Sequence, residues 1–213
     1  MAINYKRTVN TRPKEEFIVI AVEGAITEPE YFGKIRDELK NGNIKLEILP
    51  PLNCDSHPKN RLAELLSKSK NYSKTDSFWL VCDVDRHNNL HEVIKEAKQY
   101  KKYKIQPIIS NPCFEVWLYL YYGNIKIEDS TVYFDKLKTI EQENLDSQKM
   151  KEIYKKSKVN HHNNHQIAIQ KAQELTKNDD AENFLIEQNH RGKTNVYKLV
   201  QEILGKNSQN QNK

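Results

Sequence analysis

The chain has little of what would place it in several common classes. Its three cysteines, Cys54, Cys82 and Cys113, are odd in number and far apart, so they form neither a disulfide framework nor a CxxC zinc site. No apolar run approaches the roughly 18 residues that a bilayer span needs, which excludes a membrane-spanning helix. Met1 to Lys14 lacks the apolar stretch of a signal peptide, and the expectation is a soluble cytoplasmic protein. Surplus charge is small as well. Lys and Arg number 34 against 29 Asp and Glu, a formal charge of +5, whereas a protein that wraps duplex is usually more basic. A local basic patch is still able to bind a phosphate backbone. No Walker motif occurs, so any use of ATP has to come from a partner, and no internal repeat is visible.

What remains is 213 residues, enough for one sizeable core or a compact domain with an appendage. A charged fraction of 30% makes the chain wet, but six Phe, two Trp and eleven Tyr argue against wholesale disorder. The first half alternates regularly. Glu16 to Val22 is a continuous apolar, β-branched run, the pattern of a strand covered on both faces. Thr27 with Glu30 three residues later reads as a capping box, and Tyr31, Phe32, Ile35 and Leu39 follow at helical spacing until Asn41-Gly42. Ile44 to Leu49 reads as a strand stopped by Pro50-Pro51, and Pro58 opens a helix carrying Leu62, Leu65 and Leu66. Ser77 to Cys82 is a third strand, and Leu90, Val93, Ile94, Ala97 and Tyr100 share one helical face. Ile105 to Ile109 is a fourth strand, after which Asn111-Pro112 starts an apolar helix reaching about Tyr122. This alternation of strand and helix predicts an α/β fold with a mostly parallel sheet flanked by helices.

The second half is more charged, and the predicted division is an α/β core over 12–122, a mainly helical extension over 123–205 that packs back on the core, and a flexible tail over 206–213. From Asn124 to about Lys158 short helices and loops form a peripheral segment. A helix from about His165 to Lys177 presents Ala168, Ala172 and Leu175. Thr194 caps a last helix in which Val196, Leu199, Val200, Ile203 and Leu204 form an apolar stripe ended by Gly205.

In open α/β sheets ligands bind beyond the carboxyl ends of the strands, and three of the predicted strand ends carry polar residues. They are Glu23-Gly24, Asp83-Val84-Asp85, and the block from Ser110 and Asn111 to Glu115. With neighbouring parallel strands, Glu23, Asp83 and Asp85 face one crevice. Carboxylates brought that close raise one another's pKa values unless a cation neutralises them, and hard oxygen ligands of this kind suit Mg²⁺ or Mn²⁺. Gly24 gives a backbone or phosphate room to approach. Each feature has a plainer reading too: an Asp-x-Asp is also an ordinary loop start, and Glu28, Glu30 and Glu115 sit in first helical turns, where acids favour the helix dipole.

The order VEGAITEPEYF, LVCDVDRHNN, IISNPCFEVWLYLYY and NHRGKTNVYKLVQEI, spanning about Arg12 to Ile203, resembles the RloB-like family of prokaryotic phage-defence proteins. That family is assigned to the Toprim superfamily, with the catalytic domains of topoisomerases, bacterial primases and OLD-type nucleases. The resemblance implies a Toprim-like fold. It makes Glu23 the acid-base or metal-contacting glutamate, and Asp83 and Asp85 the metal-binding pair. Glu28 matches the second glutamate of the EG-x-x-TE block, with Thr27, Tyr31 and Phe32. Asn111, Pro112 and Glu115 match the NP-x-FE block.

The chemistry expected of such a site is hydrolysis of a phosphodiester in DNA or RNA, tRNA included. Glu23 orients or deprotonates water, or holds a second cation with Glu28 or Glu115. No tyrosine lies in a winged-helix context and no zinc module is evident, which disfavours topoisomerase and primase. Arg86 either grips a phosphate or pairs with Asp83 or Asp85. Lys155, Lys156 and Lys158, with His161, His162 and His165, are either a solvated face or a track for nucleic acid. Zinc is disfavoured there, because adjacent histidines do not easily share one site and no cysteine or nearby acid completes it. Arg191-Gly192-Lys193 is too short for a phosphate loop. His87 is a proton donor or a turn residue, and the second reading is favoured. The rival from another class is a non-hydrolytic sensor that recognises nucleic acid, a nucleotide signal or a phage component. A third possibility is an effector silent until an ATPase or other defence-system partner joins it. A homo-oligomer is compatible with either.

Overall fold

The run Glu16–Val22 (β1) forms a strand whose last five residues are all buried, as expected where both faces of a sheet are covered. The computed structural model describes residues 15–39, 43–51, 56–84, 87–100, 102–111, 113–122, 161–176 and 193–211. After β1 come Thr27–Glu38 (α1), Ile44–Leu49 (β2), Pro58–Ser69 (α2), Ser77–Asp83 (β3), Leu90–Gln99 (α3) and Ile105–Asn111 (β4). Glu115–Tyr119 (α4) follows with a 3₁₀ turn over Leu120–Tyr122, then His161–Leu175 (α5), Lys193–Thr194 (β5) and Val196–Gln211 (α6). The strands form one sheet in the order β2-β1-β3-β4-β5. The first four are parallel, with Val22 beside Val81 and Asp83 beside Ser110, and β5 closes the far side antiparallel through Ser110 and Thr194. The α/β architecture with a mostly parallel sheet flanked by helices is therefore as expected, and it is consistent with a Toprim-like fold.

Side chains alternate across this sheet and build a core on each face. On one face Ile18, Ile20, Val22, Trp79, Val81 and Ile108 pack with Tyr31, Phe32 and Ile35 of α1, Trp117 of α4, and the small or β-branched residues of α5 and α6. On the other, Val19, Ala21, Phe78, Leu80 and Cys82 meet Leu62 and Leu65 of α2 and Val93, Ile94 and Ala97 of α3. The central strands therefore have no solvent face, and their carboxyl ends are the places where polar groups emerge. A polar chain runs through the first core: Tyr31 and Tyr121 hydroxyls are 2.7 Å apart, and Tyr121 reaches Nδ1 of the buried His165 at 2.6 Å.

Four local expectations change. The N-cap of α1 is Ile26, with no side-chain capping bond, because Glu28 is drawn back onto the preceding loop. The helix after β4 spans only Glu115–Tyr119 before tightening to a 3₁₀ turn. Thr194 lies in β5, a strand the sequence pattern does not announce, though its Oγ1 still accepts from the Val196 N–H at 3.3 Å. Helix α6 runs through Gly205 to Gln211, since an exposed glycine weakens a helix without ending it. The segment from Asn124 to Lys158 lies outside the described residues.

Candidate active site at the carboxyl ends of the strands

Glu23 is the first residue after β1, and Asp83 is the last of the neighbouring β3. Parallel pairing in register delivers both to the same end of the sheet. Glu23 is only 4% exposed, and a carboxylate buried to that degree needs its oxygens satisfied. They are: Oε2 accepts the Asp83 main-chain N–H at 3.0 Å, and Oε1 accepts from His87 Nε2 at 2.8 Å. The His87 ring is itself nine-tenths buried and meets the His57 ring edge-on, with centroids 5.1 Å apart. His57 caps α2, its Nδ1 accepting the Lys59 N–H at 3.2 Å. Glu23 thus joins the end of β1, the end of β3, the loop after β3 and the start of α2.

The loop after Glu23 is closed by Glu28. Its carboxylate, 3% exposed, accepts the Gly24 N–H at 2.9 Å. A Cβ on Gly24 would lie 1.9 Å from Glu28 Oε2, so glycine is what lets the carboxylate sit there. The room expected over Gly24 for a backbone or phosphate is filled by Glu28. On the other side of β3, the Val84 N–H donates to the Ser110 carbonyl at 3.1 Å, and the Ser110 hydroxyl lies 2.8 Å from that of Thr194. Asn111, buried, ends β4.

Arg61 supports this end of the sheet from beneath. It is 1% exposed, and its Nε donates to the Val22 carbonyl at 2.9 Å while Nη2 donates to the Leu49 carbonyl at 2.5 Å. Nη1 pairs with Glu64. One guanidinium therefore ties the last carbonyl of β1, just before Glu23, to the last of β2. The concentration of negative charge here also marks Cys82. Burial pushes its thiol well above the ordinary range, and the nearby Glu23 and Asp83 push it further the same way.

Of the residues singled out in the sequence, Glu23, Gly24, Glu28 and Asp83 are brought to this corner, with Asn111 at the end of β4. Asp85, Arg86, Lys155, Lys156 and Lys158 lie outside the described residues. Glu115 opens α4, but its side chain is also outside them. Two residues gain importance. His87, favoured as a turn residue, holds the Glu23 carboxylate. Arg61 was not singled out, though its place on the apolar stripe with Pro58, Leu62, Leu65 and Ser69 was the available signal.

The donors fit a hard divalent cation in kind, since Glu23, Glu28 and Asp83 offer carboxylate oxygen, the preference of Mg²⁺ or Mn²⁺. Among the described residues no three of His, Cys, Asp or Glu gather into a ligand cluster. The second aspartate of the pair, Asp85, would have to complete one.

Among the described residues, no helix is long and apolar enough to cross a membrane. No curated protein and no solved structure matches the chain. A family model described as RloB-like protein matches residues 18–203, which takes in the described sheet except the first two residues of β1, and the acids at the strand ends. The chain belongs to the RloB-like family.

Proposed function

We propose that the protein is a divalent-metal-dependent nuclease of Toprim type, hydrolysing phosphodiester bonds of DNA or RNA, tRNA included, in antiphage defence. The observation that carries this reading is the buried Glu23 carboxylate bonded to the main chain of Asp83, which fixes acids from two adjacent strands at one end of the sheet. Asp83 and Asp85, with Glu23 beside them, would hold Mg²⁺ or Mn²⁺. Such a cation stabilises charge developing on phosphoryl oxygens.

The protein's own residues supply the remaining roles. Glu23 accepts a proton from the attacking water, for which one of its two hydrogen bonds must be exchanged. The Asp83 N–H is fixed in the backbone of β3, so the His87 ring is the partner that yields. Glu28 and Gly24 keep the loop after Glu23 in shape. Arg86 and the lysines at 155, 156 and 158 steady the phosphate backbone. An ATPase or other defence partner, or a second copy of the chain, would provide any activation. The alternative is a non-hydrolytic sensor that binds nucleic acid, a nucleotide signal or a phage component in the same crevice.

Cleavage of labelled supercoiled DNA, single-stranded DNA and total tRNA with Mg²⁺ or Mn²⁺ separates the two. Cleavage that is lost in Asp83→Ala/Asp85→Ala supports the nuclease. No cleavage and no metal binding by calorimetry would overturn it in favour of the sensor.

A further inference from the structure

The ten residues from Lys95 to Lys104, KEAKQYKKYK, hold five lysines and a single glutamate, interleaved with two tyrosines. They finish α3 and lead into β4, away from the acids. Where this segment meets α6 the structure forms a groove of about 420 Å³ beside the amino half of β4. Its polar rim is Lys98 from α3, Lys104 from the connection and Lys198 from α6, and its apolar lining includes Trp79, Tyr100 and Pro107. Among the described residues no acidic side chain lines it. Strand β5 pairs with β4 only at Ser110 and Asn111, Asn195 covers the margin next to them by bonding Ile109 and the Pro107 carbonyl, and Pro107 itself removes an N–H that another strand would use. Trp79 is 2% exposed, and its indole N–H has no hydrogen-bond acceptor among the described residues.

We propose that this groove binds the phosphate backbone of a single-stranded nucleic acid. Three ammonium groups on flexible stems, contributed by three separate elements, suit successive phosphates along a strand. A single phosphate is more often cradled by the backbone N–H groups of a glycine-rich loop. The partly exposed Tyr100 beside the cations offers a base an aromatic face without reading its identity. The groove and the acids lie at opposite ends of β4, roughly 13–20 Å apart at about 3.3 Å per residue, so a strand touching both spans several nucleotides. The inference rests on the nuclease reading only in making that strand the substrate; the binding itself does not require catalysis.

The test is fluorescence anisotropy of a labelled single-stranded 20-mer RNA, and of the DNA of the same sequence, with the full chain in EDTA, where no turnover occurs. Lys104→Gln/Lys198→Gln is compared with Lys45→Gln/Lys68→Gln, which removes the same charge at the opposite margin of the sheet, where both lysines are paired with glutamates. The groove variant is expected to bind at least fivefold more weakly, with the slope of log K against log salt reduced by about 1.4, or 0.7 per lost phosphate contact. The control should change less than twofold. Equal effects in the two variants, no binding by the wild type, or competition by AMP as strong as by unlabelled oligomer would each overturn the proposal. Failure of the nuclease reading appears separately, as retained cleavage or none at all in the metal-dependent assay.

Discussion

Arg61→Met removes the guanidinium beneath the site and keeps most of its apolar stem. Two buried main-chain carbonyls, those of Val22 and Leu49, lose their side-chain donor. At about 1–3 kcal/mol for each unsatisfied buried group, the loss is about 2–6 kcal/mol. Glu64 adds little, because its side chain is 22% exposed and can turn to water. A mid-range loss of ~4 kcal/mol is a large part of a typical stability of about 5–15 kcal/mol. For a chain of this size it corresponds to a fall in Tm of roughly 8–16 °C. Urea unfolding followed by circular dichroism checks this, with the m-value expected to stay constant and the midpoint to drop. Glu64→Gln should cost no more than about 1 kcal/mol, as for other partly exposed pairs. A loss below about 1 kcal/mol in Arg61→Met would refute the reasoning, since carbonyls that cost so little to orphan would not depend on this residue.

Gly24→Ala forces the Glu28 carboxylate off the Gly24 N–H and should cost about 1.5–3 kcal/mol, the worth of a hydrogen bond to a charged group. In a double-mutant cycle with Glu28→Ala the two losses should fall short of additive, and strict additivity would contradict the contact. Native protein treated with iodoacetamide at pH 8 should leave Cys82 unmodified while the half-buried Cys113 reacts, because burial and the adjacent acids keep the Cys82 thiol protonated; labelling of Cys82 within minutes in the peptide map would sink this. Burial, and then the bond to Glu47, raise Tyr72 above its ordinary value near 10. The neutral form is therefore favoured by folding. Its contribution is complete below pH ~10 and is lost as pH rises toward the folded-state value. The stability advantage of wild type over Tyr72→Phe should be level from pH 7 to 9 and shrink above 10, and an advantage that grows there would reverse the argument.

The strands were legible because a sheet covered on both faces demands unbroken apolar runs, and Phe17 to Val22 and Phe78 to Cys82 supply them. Pro58 marked the start of α2 because its missing N–H is no loss there. Glu23 and Asp83 could be placed together for the same reason, since adjacent parallel strands end at one margin. The features that escaped depend on contacts remote in sequence. His87 reads as a turn residue until Glu23, 64 positions earlier, is seen on its ring. Arg61 falls on the apolar stripe of α2, but its role shows only once its carbonyl partners on two strands are known. The Thr27–Glu30 capping box fails although its spacing is right, since Glu28 finds the Gly24 N–H and the helix starts on Ile26. Two-residue β5 is too short to carry a period of its own.

On the proposed nuclease reading, Glu23 is the acid on which phosphodiester hydrolysis depends. Single-turnover cleavage of the responsive nucleic acid should be compared between wild type and Glu23→Gln, with excess enzyme over a range of Mn²⁺ concentrations. Glutamine keeps an oxygen for the Asp83 N–H but cannot accept a proton at neutral pH. Cleavage by Glu23→Gln at saturating Mn²⁺ should be at least about a hundredfold slower, the scale of one general base, with the urea midpoint little changed. A Glu23→Gln rate within threefold of wild type would contradict that dependence.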